Sequence, residues 1–201
     1  MKVSGEATLH APIARVWEAL NDPAVLVRTI PGCERLESTG PDSYRMVVTA
    51  GVASIRGTYA GEVKLHDQRP PNEFVMSATG AGAPGTVSTE VQVRLVEHDG
   101  ATRLTYDADA VVGGMIGGVG QRMLAGVAKK MAGEFFADVD DVLTGRVGAP
   151  AAGPVAAEPG VFVAPARPSP YGGGFLPSAL AGAAIALAGV LVGAILGRRR
   201  R

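Results

Sequence analysis

Between residues 55 and 110, apolar and polar side chains alternate with a period of two in four successive runs, and that pattern leaves few folds open. Ile55, Gly57, Tyr59, Gly61, Val63 and Leu65 are apolar or small, with Arg56, Thr58, Glu62 and Lys64 between them. Phe74, Met76, Ala78 and Gly80 repeat the pattern, as do Val87, Thr89, Val91, Val93 and Leu95 against Ser88, Glu90, Gln92 and Arg94. Leu104, Tyr106, Ala108 and Ala110 oppose Arg103, Thr105, Asp107 and Asp109, after an Asp99-Gly100 hairpin signal. Successive strand side chains point to opposite faces, so these runs predict an antiparallel sheet with one dry face and one wet face.

The dry face needs a cover, and the flanking segments supply helices. Ile13, Val16, Trp17 and Leu20 are spaced for one face of a short helix, with Pro12 at the first helical position. Asp22-Pro23 reads as an N-cap followed by a first-turn proline, opening a second short helix that carries Leu26 and Ile30 and stops at Pro31-Gly32. From about 117 to 144 a long helix is expected, with Val119, Met123, Val127, Met131, Phe135, Val139 and Val142 on its apolar stripe. The order is strand, two short helices, antiparallel strands and one long helix. This is an α+β arrangement in which a curved sheet wraps around the C-terminal helix.

Gly57, Gly61, Ala78, Gly80, Ala108 and Ala110 all fall on the inward phase, where a packed core would place branched side chains. Small residues there imply a cavity, with flexible methionines opposite suiting an adaptable apolar pocket. The alternative is that bulky helix residues fill the space above the glycines. The expected cavity set is Gly57, Tyr59, Gly61, Phe74, Met76, Ala78, Val91, Tyr106 and Ala108 from the strands, and Met123, Val127, Met131 and Phe135 from the helix. No Asp, Glu, His or Lys occupies the inward phase of these strands, which points to binding rather than acid–base catalysis.

Other chemistries lose ground on composition and spacing. Lys+Arg 19 balances Asp+Glu 19, so no nucleic-acid footprint is expected. Cys33 is the single cysteine, which excludes an intrachain disulfide and cysteine-rich metal or iron–sulfur sites and fits a reducing compartment; beside Arg35 alone it makes a poor catalytic thiol. His10, His66 and His98 have no partner at ligand spacing, so no metal is expected. Gly80-Ala81-Gly82-Ala83-Pro84-Gly85 matches the dinucleotide fingerprint, but a strand follows where that motif needs a helix, so a hairpin loop is expected. The glycines from Gly113 to Gly120 lack the Lys-Ser/Thr of a phosphate loop and read either as a gate over the pocket or as a plain loop.

The chain divides into three sections: a domain over 1 to 145, a linker over 146 to 174, and a tail over 175 to 201. The linker is rich in Ala, Gly and Pro, with prolines at 150, 154, 159, 165, 168 and 170. Such a segment would average about 30 Å as a coil and reach about 90 Å as polyproline II. The tail carries no charge from Phe175 through Leu176, Leu180, Ile185, Leu187, Leu191 and Ile195 to Leu196, long enough to match a bilayer of about 30 Å. Its alanines and glycines dilute it, so a buried or peripheral helix is the alternative. Arg198, Arg199, Arg200 and Arg201 follow and suit an anionic lipid surface. A full span would carry them away from the cytoplasm, against the positive-inside tendency; a tail anchor with reversed bias and a shallow helix in the near leaflet are the two arrangements open. Gly189, Gly193 and Gly197 offer a smooth face for homodimerisation. No signal-peptide pattern is read at the N-terminus, so the domain is expected on the cytoplasmic side of the membrane.

Val16-Trp17-Glu18-Ala19-Leu20-Asn21-Asp22-Pro23, then Ile30-Pro31-Gly32-Cys33-Glu34, then Gly113-Gly114, and Gly120-Gln121-Arg122 ahead of Phe135-Phe136 together resemble the CoxG family of carbon monoxide dehydrogenase subunits. The resemblance covers roughly 1 to 145. The family lies in the START/polyketide-cyclase (SRPBCC) superfamily, which implies a helix-grip fold holding hydrophobic ligands between a curved sheet and a long C-terminal helix. It also implies a non-catalytic accessory protein that recruits aerobic molybdenum carbon monoxide dehydrogenase, or a related molybdenum hydroxylase, to the membrane, with no covalent cofactor of its own. Joined to the apolar pocket and membrane-seeking tail, this suggests carriage of a respiratory quinone of menaquinone or ubiquinone type. Competing expectations are an anchor without cargo, a maturation factor for the molybdenum enzyme, and, last, a cyclase-type enzyme.

Overall fold

The computed structural model describes residues 1–146 and 160–164. In chain order the elements are β1 (Lys2–Leu9), α1 (Ile13–Asn21), α2 (Pro23–Thr29), β2 (Cys33–Gly40), β3 (Ser43–Val52), β4 (Ile55–Arg69), β5 (Glu73–Gly82), β6 (Gly85–His98), β7 (Ala101–Gly113), a 3-10 turn (Met115–Val119), α3 (Gln121–Leu143) and β8 (Val161–Val163). All eight strands form one antiparallel sheet in the order β1-β7-β6-β5-β4-β3-β2-β8. The α+β arrangement expected from the alternation, and the helix-grip fold that the resemblance implies, are the architecture observed.

Local chemistry explains the corners. Asp99 and Gly100 both take positive φ, 51° and 74°, which lets two residues join β6 to β7 without splaying the strands. The Asp22 side chain accepts a hydrogen bond from the Ala24 amide at 2.8 Å, capping α2 ahead of its first-turn proline. The long helix begins at Gln121 rather than near 117, because Gly114 and Gly120 hold positive φ and the chain between them tightens into the 3-10 turn.

The larger core lies under α1, α2 and the C-terminal half of α3. Leu9, Val16, Leu36, Leu95, Leu104 and Val139 are fully buried there. Trp17 meets Phe74 edge to face at 5.6 Å, and Phe136 packs between Tyr106 and Phe135. A smaller core at the other end joins Val52, Ile116 and Leu124 to Met1, Tyr59, Val112, Val119 and Val127.

A polar staple ties the ends of the domain together. Asp140, on α3, accepts hydrogen bonds from the His10 amide at 2.6 Å and from Arg146 at 2.6 Å, and its carboxylate lies 3.0 Å from the His10 ring nitrogen. Partial burial by itself would raise the Asp140 pKa. The His10 donors and then the Arg146 guanidinium outweigh it, and the group is held below its ordinary value.

One strand departs from expectation. Val161–Val163, inside the stretch read as linker, adds β8 to the β2 edge, with Phe162 opposite Leu36. Pro159 and Pro165 bracket a short proline-free run of β-forming residues, and an open sheet edge offers it partners. The Ser38 amide donates to the Gly160 carbonyl at 2.9 Å, and the Ala164 amide donates to the Glu34 carbonyl at 3.1 Å. The other residues of that stretch, and the expected membrane helix at 175–196 with its arginines and glycine face, lie outside the described residues. No helix among the described residues is long and apolar enough to cross a membrane.

Candidate functional site

The inward residues of β3 through β7 meet the N-terminal half of α3 around a partly open cavity of about 310 Å³. Its walls are Met46, Val48, Ala50, Gly51 and Val52 from β3, Tyr59 and Gly61 from β4, and Ala78, Thr79 and Gly80 from β5. Val87 and Thr89 of β6, Val112 of β7, Ile116 of the 3-10 turn, and Leu124, Val127, Ala128 and Met131 of α3 complete it with Met1. No carboxylate, imidazole, lysine or arginine side chain is among these residues. The volume sits at the low end of the range of about 300–1,000 Å³ for small-molecule sites, and the lining is predominantly apolar, as such sites are.

The floor is open where two small residues adjoin. A Cβ built at Gly80 would have only the Ala60 carbonyl near it, at 3.8 Å, so the space above Gly80 is empty. Gly61, its register partner, is small for a different reason, since a Cβ there would strike the Thr79 carbonyl at 2.4 Å.

One end is closed by a knot of backbone. The Ile116 amide donates to the Pro84 carbonyl at 3.0 Å, fastening the 3-10 turn to the β5–β6 turn. Gly114 (φ 77°) lies against Gly85, where a Cβ would come within 2.6 Å of the Gly85 Cα. Positive φ and close backbone approach are both easiest for glycine, which explains the glycine-rich approach to α3. Those glycines clamp the turn in this conformation.

Of the thirteen residues expected to line a cavity, Tyr59, Gly61, Ala78, Val127 and Met131 do. The others are placed elsewhere. Gly57 lies beneath the Pro84 ring, and Phe74, Met76, Val91, Tyr106 and Phe135 pack in or against the larger core. Ala108 is half-buried between its register partners Val3 and Val91. Met123 is 49% exposed, and Leu124 takes the buried position. A strict four-residue repeat advances about 40° around an α-helix at each step, so the stripe drawn through Met123 wraps away from the sheet.

The β3 wall is hidden in the sequence because its residues from Met46 to Val52 are nearly all apolar or small, which masks a period of two. Their even positions, Met46, Val48, Ala50 and Val52, nonetheless share one phase and one face. A larger trough of about 510 Å³ lies on the opposite face of the sheet, bordered by Arg45, Ala60, Glu62, Ala81, Ser88 and Val111. It is more open than the cavity, and Arg45 and Glu62 stand among its walls.

The cavity's polar side chains are few. Thr89 Oγ1 donates to the Asp109 carbonyl at 3.0 Å. Thr79 is exposed and also borders the outer trough. Tyr59 is half-buried, and burial pushes the pKa of its phenol up from its ordinary value. Cys33 is buried in the larger core, where burial pushes its thiol up and away from reactivity. Among the described residues no group of His, Cys, Asp and Glu could hold a metal ion.

Comparison with known proteins agrees on the fold. The model of the CoxG family, described as a subunit of carbon monoxide dehydrogenase, matches residues 5–144. A conserved protein from Geobacillus kaustophilus is 34% identical with a TM-score of 0.69, over 72% of this chain and 95% of that one. A START superfamily protein from Mycobacterium smegmatis (14% identity, TM-score 0.57, covering 73% of this chain and 99% of that one) shares the fold. So does the Zhui aromatase/cyclase of Streptomyces sp. R1128 (21%, 0.56, 74% and 96%). No match was found among curated proteins.

Proposed function

Because the chain belongs to the CoxG family of carbon monoxide dehydrogenase subunits, we propose that it is a non-catalytic accessory protein of an aerobic molybdenum carbon monoxide dehydrogenase or a related molybdenum hydroxylase. In this reading it recruits that enzyme to the cytoplasmic face of the membrane and carries a lipophilic ligand in its cavity. The ligand is a respiratory quinone, which couples the enzyme to the respiratory chain.

The observation that carries the reading is the apolar cavity of about 310 Å³ over Ala78 and Gly80. A packed core would fill that space, and the energetic return on burying hydrocarbon, about 25 cal/mol per Å², falls instead to whatever enters it. The volume suits a ring-sized head group and the beginning of a chain. The lining offers no general acid or base beyond a protonated phenol, which supports binding over turnover.

Two features support contact with lipid. Val111, Met115 and Met123 are 72%, 64% and 49% exposed, and each is the chain neighbour of a lining residue, Val112, Ile116 or Leu124. The uncharged tail from 175 to 196, followed by four arginines, has the length and charge of a membrane-seeking segment.

The reading is tested with Gly80→Leu, whose Cβ would enter open space at the cavity floor. Cells carrying it should still bring the dehydrogenase to the membrane fraction but lose carbon monoxide-dependent reduction of membrane quinone. If recruitment and coupling both survive, the protein is an anchor without cargo. If dehydrogenase made without this protein lacks its metals, the role is maturation.

A further inference from the structure

Within that reading, which this inference rests on, we infer that the Tyr59 hydroxyl is the donor that grips the polar end of the ligand and selects a neutral oxygen acceptor. Three lining side chains carry a polar hydroxyl; one is engaged elsewhere and one stands on the solvent side. The Thr89 hydroxyl donates to the Asp109 carbonyl, and Thr79 stands exposed on the solvent phase beside the outer trough. Tyr59 has no hydrogen-bond partner among the described residues, while its ring is held in the smaller core.

The position of the ring follows from its neighbours. Tyr59 pairs in register with Val48 on one side and Gly82 on the other, and a Cβ at Gly82 would come within 3.1 Å of the Tyr59 ring. The glycine leaves the room over which the ring lies. A phenol fixed by packing and free at its oxygen loses little freedom when it binds, which is the usual role of tyrosine in apolar sites. A phenol is protonated at neutral pH and can donate; burial shifts its pKa further upward.

The lining also decides the sign of the partner. No cationic side chain borders the cavity, and the Met1 ammonium is already bound to the Ala110 carbonyl and faces Asp109 at 3.8 Å. A carboxylate would enter without a counter-charge, whereas a ketone or quinone oxygen needs only the one donor. The ligand class is thus a neutral carbonyl-bearing lipophile rather than a fatty acid.

The test measures binding of three probes to the full-length protein and to Tyr59→Phe: 2-methyl-1,4-naphthoquinone, 2-methylnaphthalene and decanoate. The native protein should prefer the quinone to the hydrocarbon by about three- to tenfold, the range one neutral hydrogen bond supplies. Tyr59→Phe should lose that preference with hydrocarbon affinity and melting temperature unchanged. A preference that survives in Tyr59→Phe, or decanoate binding more tightly than the quinone, overturns the role of Tyr59 while leaving the cavity reading intact. Failure of all three probes to bind the native protein overturns both.

Discussion

The pyrrolidine ring of Pro84 stands where a side chain at Gly57 would project: a Cβ there would lie 2.4 Å from Pro84 Cγ and 2.6 Å from Pro84 Cδ. The β5–β6 turn is seated on β4 by this contact, and the same proline's carbonyl accepts from Ile116. The ring cannot swing aside as a flexible side chain would. Gly57→Leu should therefore destabilise the domain by about 1–3 kcal/mol through overpacking. The loss should be smaller in Gly57→Leu combined with Pro84→Ala than the two single effects predict, as measured by denaturant unfolding.

Gly80 responds in the opposite way. Its φ is not in the positive range and its Cβ direction is open, so Gly80→Leu should fold with a melting temperature within a few degrees of the native protein. Binding of a lipophilic probe should fall at least about tenfold, because the added side chain occupies the cavity floor. Titration of a naphthoquinone into the two proteins checks both statements.

The Asp140 staple predicts a pH dependence. Its pKa is lowered in the fold, so its contribution to stability is present above the ordinary carboxylate value of 3.8 and is lost as pH falls through the lower folded value. Asp140→Asn should cost about 2 kcal/mol at neutral pH, since charge-assisted bonds to His10 and Arg146 weaken together. Below about pH 4 the native protein should lose stability faster than the variant, and melting curves between pH 2 and 7 would show the two converging.

The β8 clasp predicts a local effect. Phe162→Ala removes the side chain that packs on the larger core opposite Leu36. The three-residue strand should then open without global unfolding. Hydrogen exchange should accelerate at the Ser38 amide, which donates to the Gly160 carbonyl, and stay slow at the buried Leu65 of β4, whose amide donates to the Asp42 carbonyl of the β2–β3 turn.

Much of this fold is readable from period and punctuation. The runs at Ile55, Phe74, Val87 and Leu104 each become a strand with the expected inward phase, and Asp22-Pro23 opens a capped helix. What stays hidden has physical causes. Glycine reports only that a side chain is missing, and Gly57, Gly61 and Gly80 lack one for three reasons: a proline ring, a neighbouring carbonyl and an open cavity. Tyr106 looks like a cavity residue by phase, yet its ring covers Gly5, where a Cβ would lie 2.6 Å from the phenol oxygen. The β3 wall escapes because an unbroken apolar run has no period, and β8 escapes because three residues are too few to signal against proline on both sides.

The central claim is that the cavity holds a lipophile in the cell. Native mass spectrometry with lipid extraction, on full-length protein taken gently from its native cells, tests it most directly. The account predicts a quinone bound at close to one per chain. Protein that is empty, yet still brings dehydrogenase to the membrane, would contradict it.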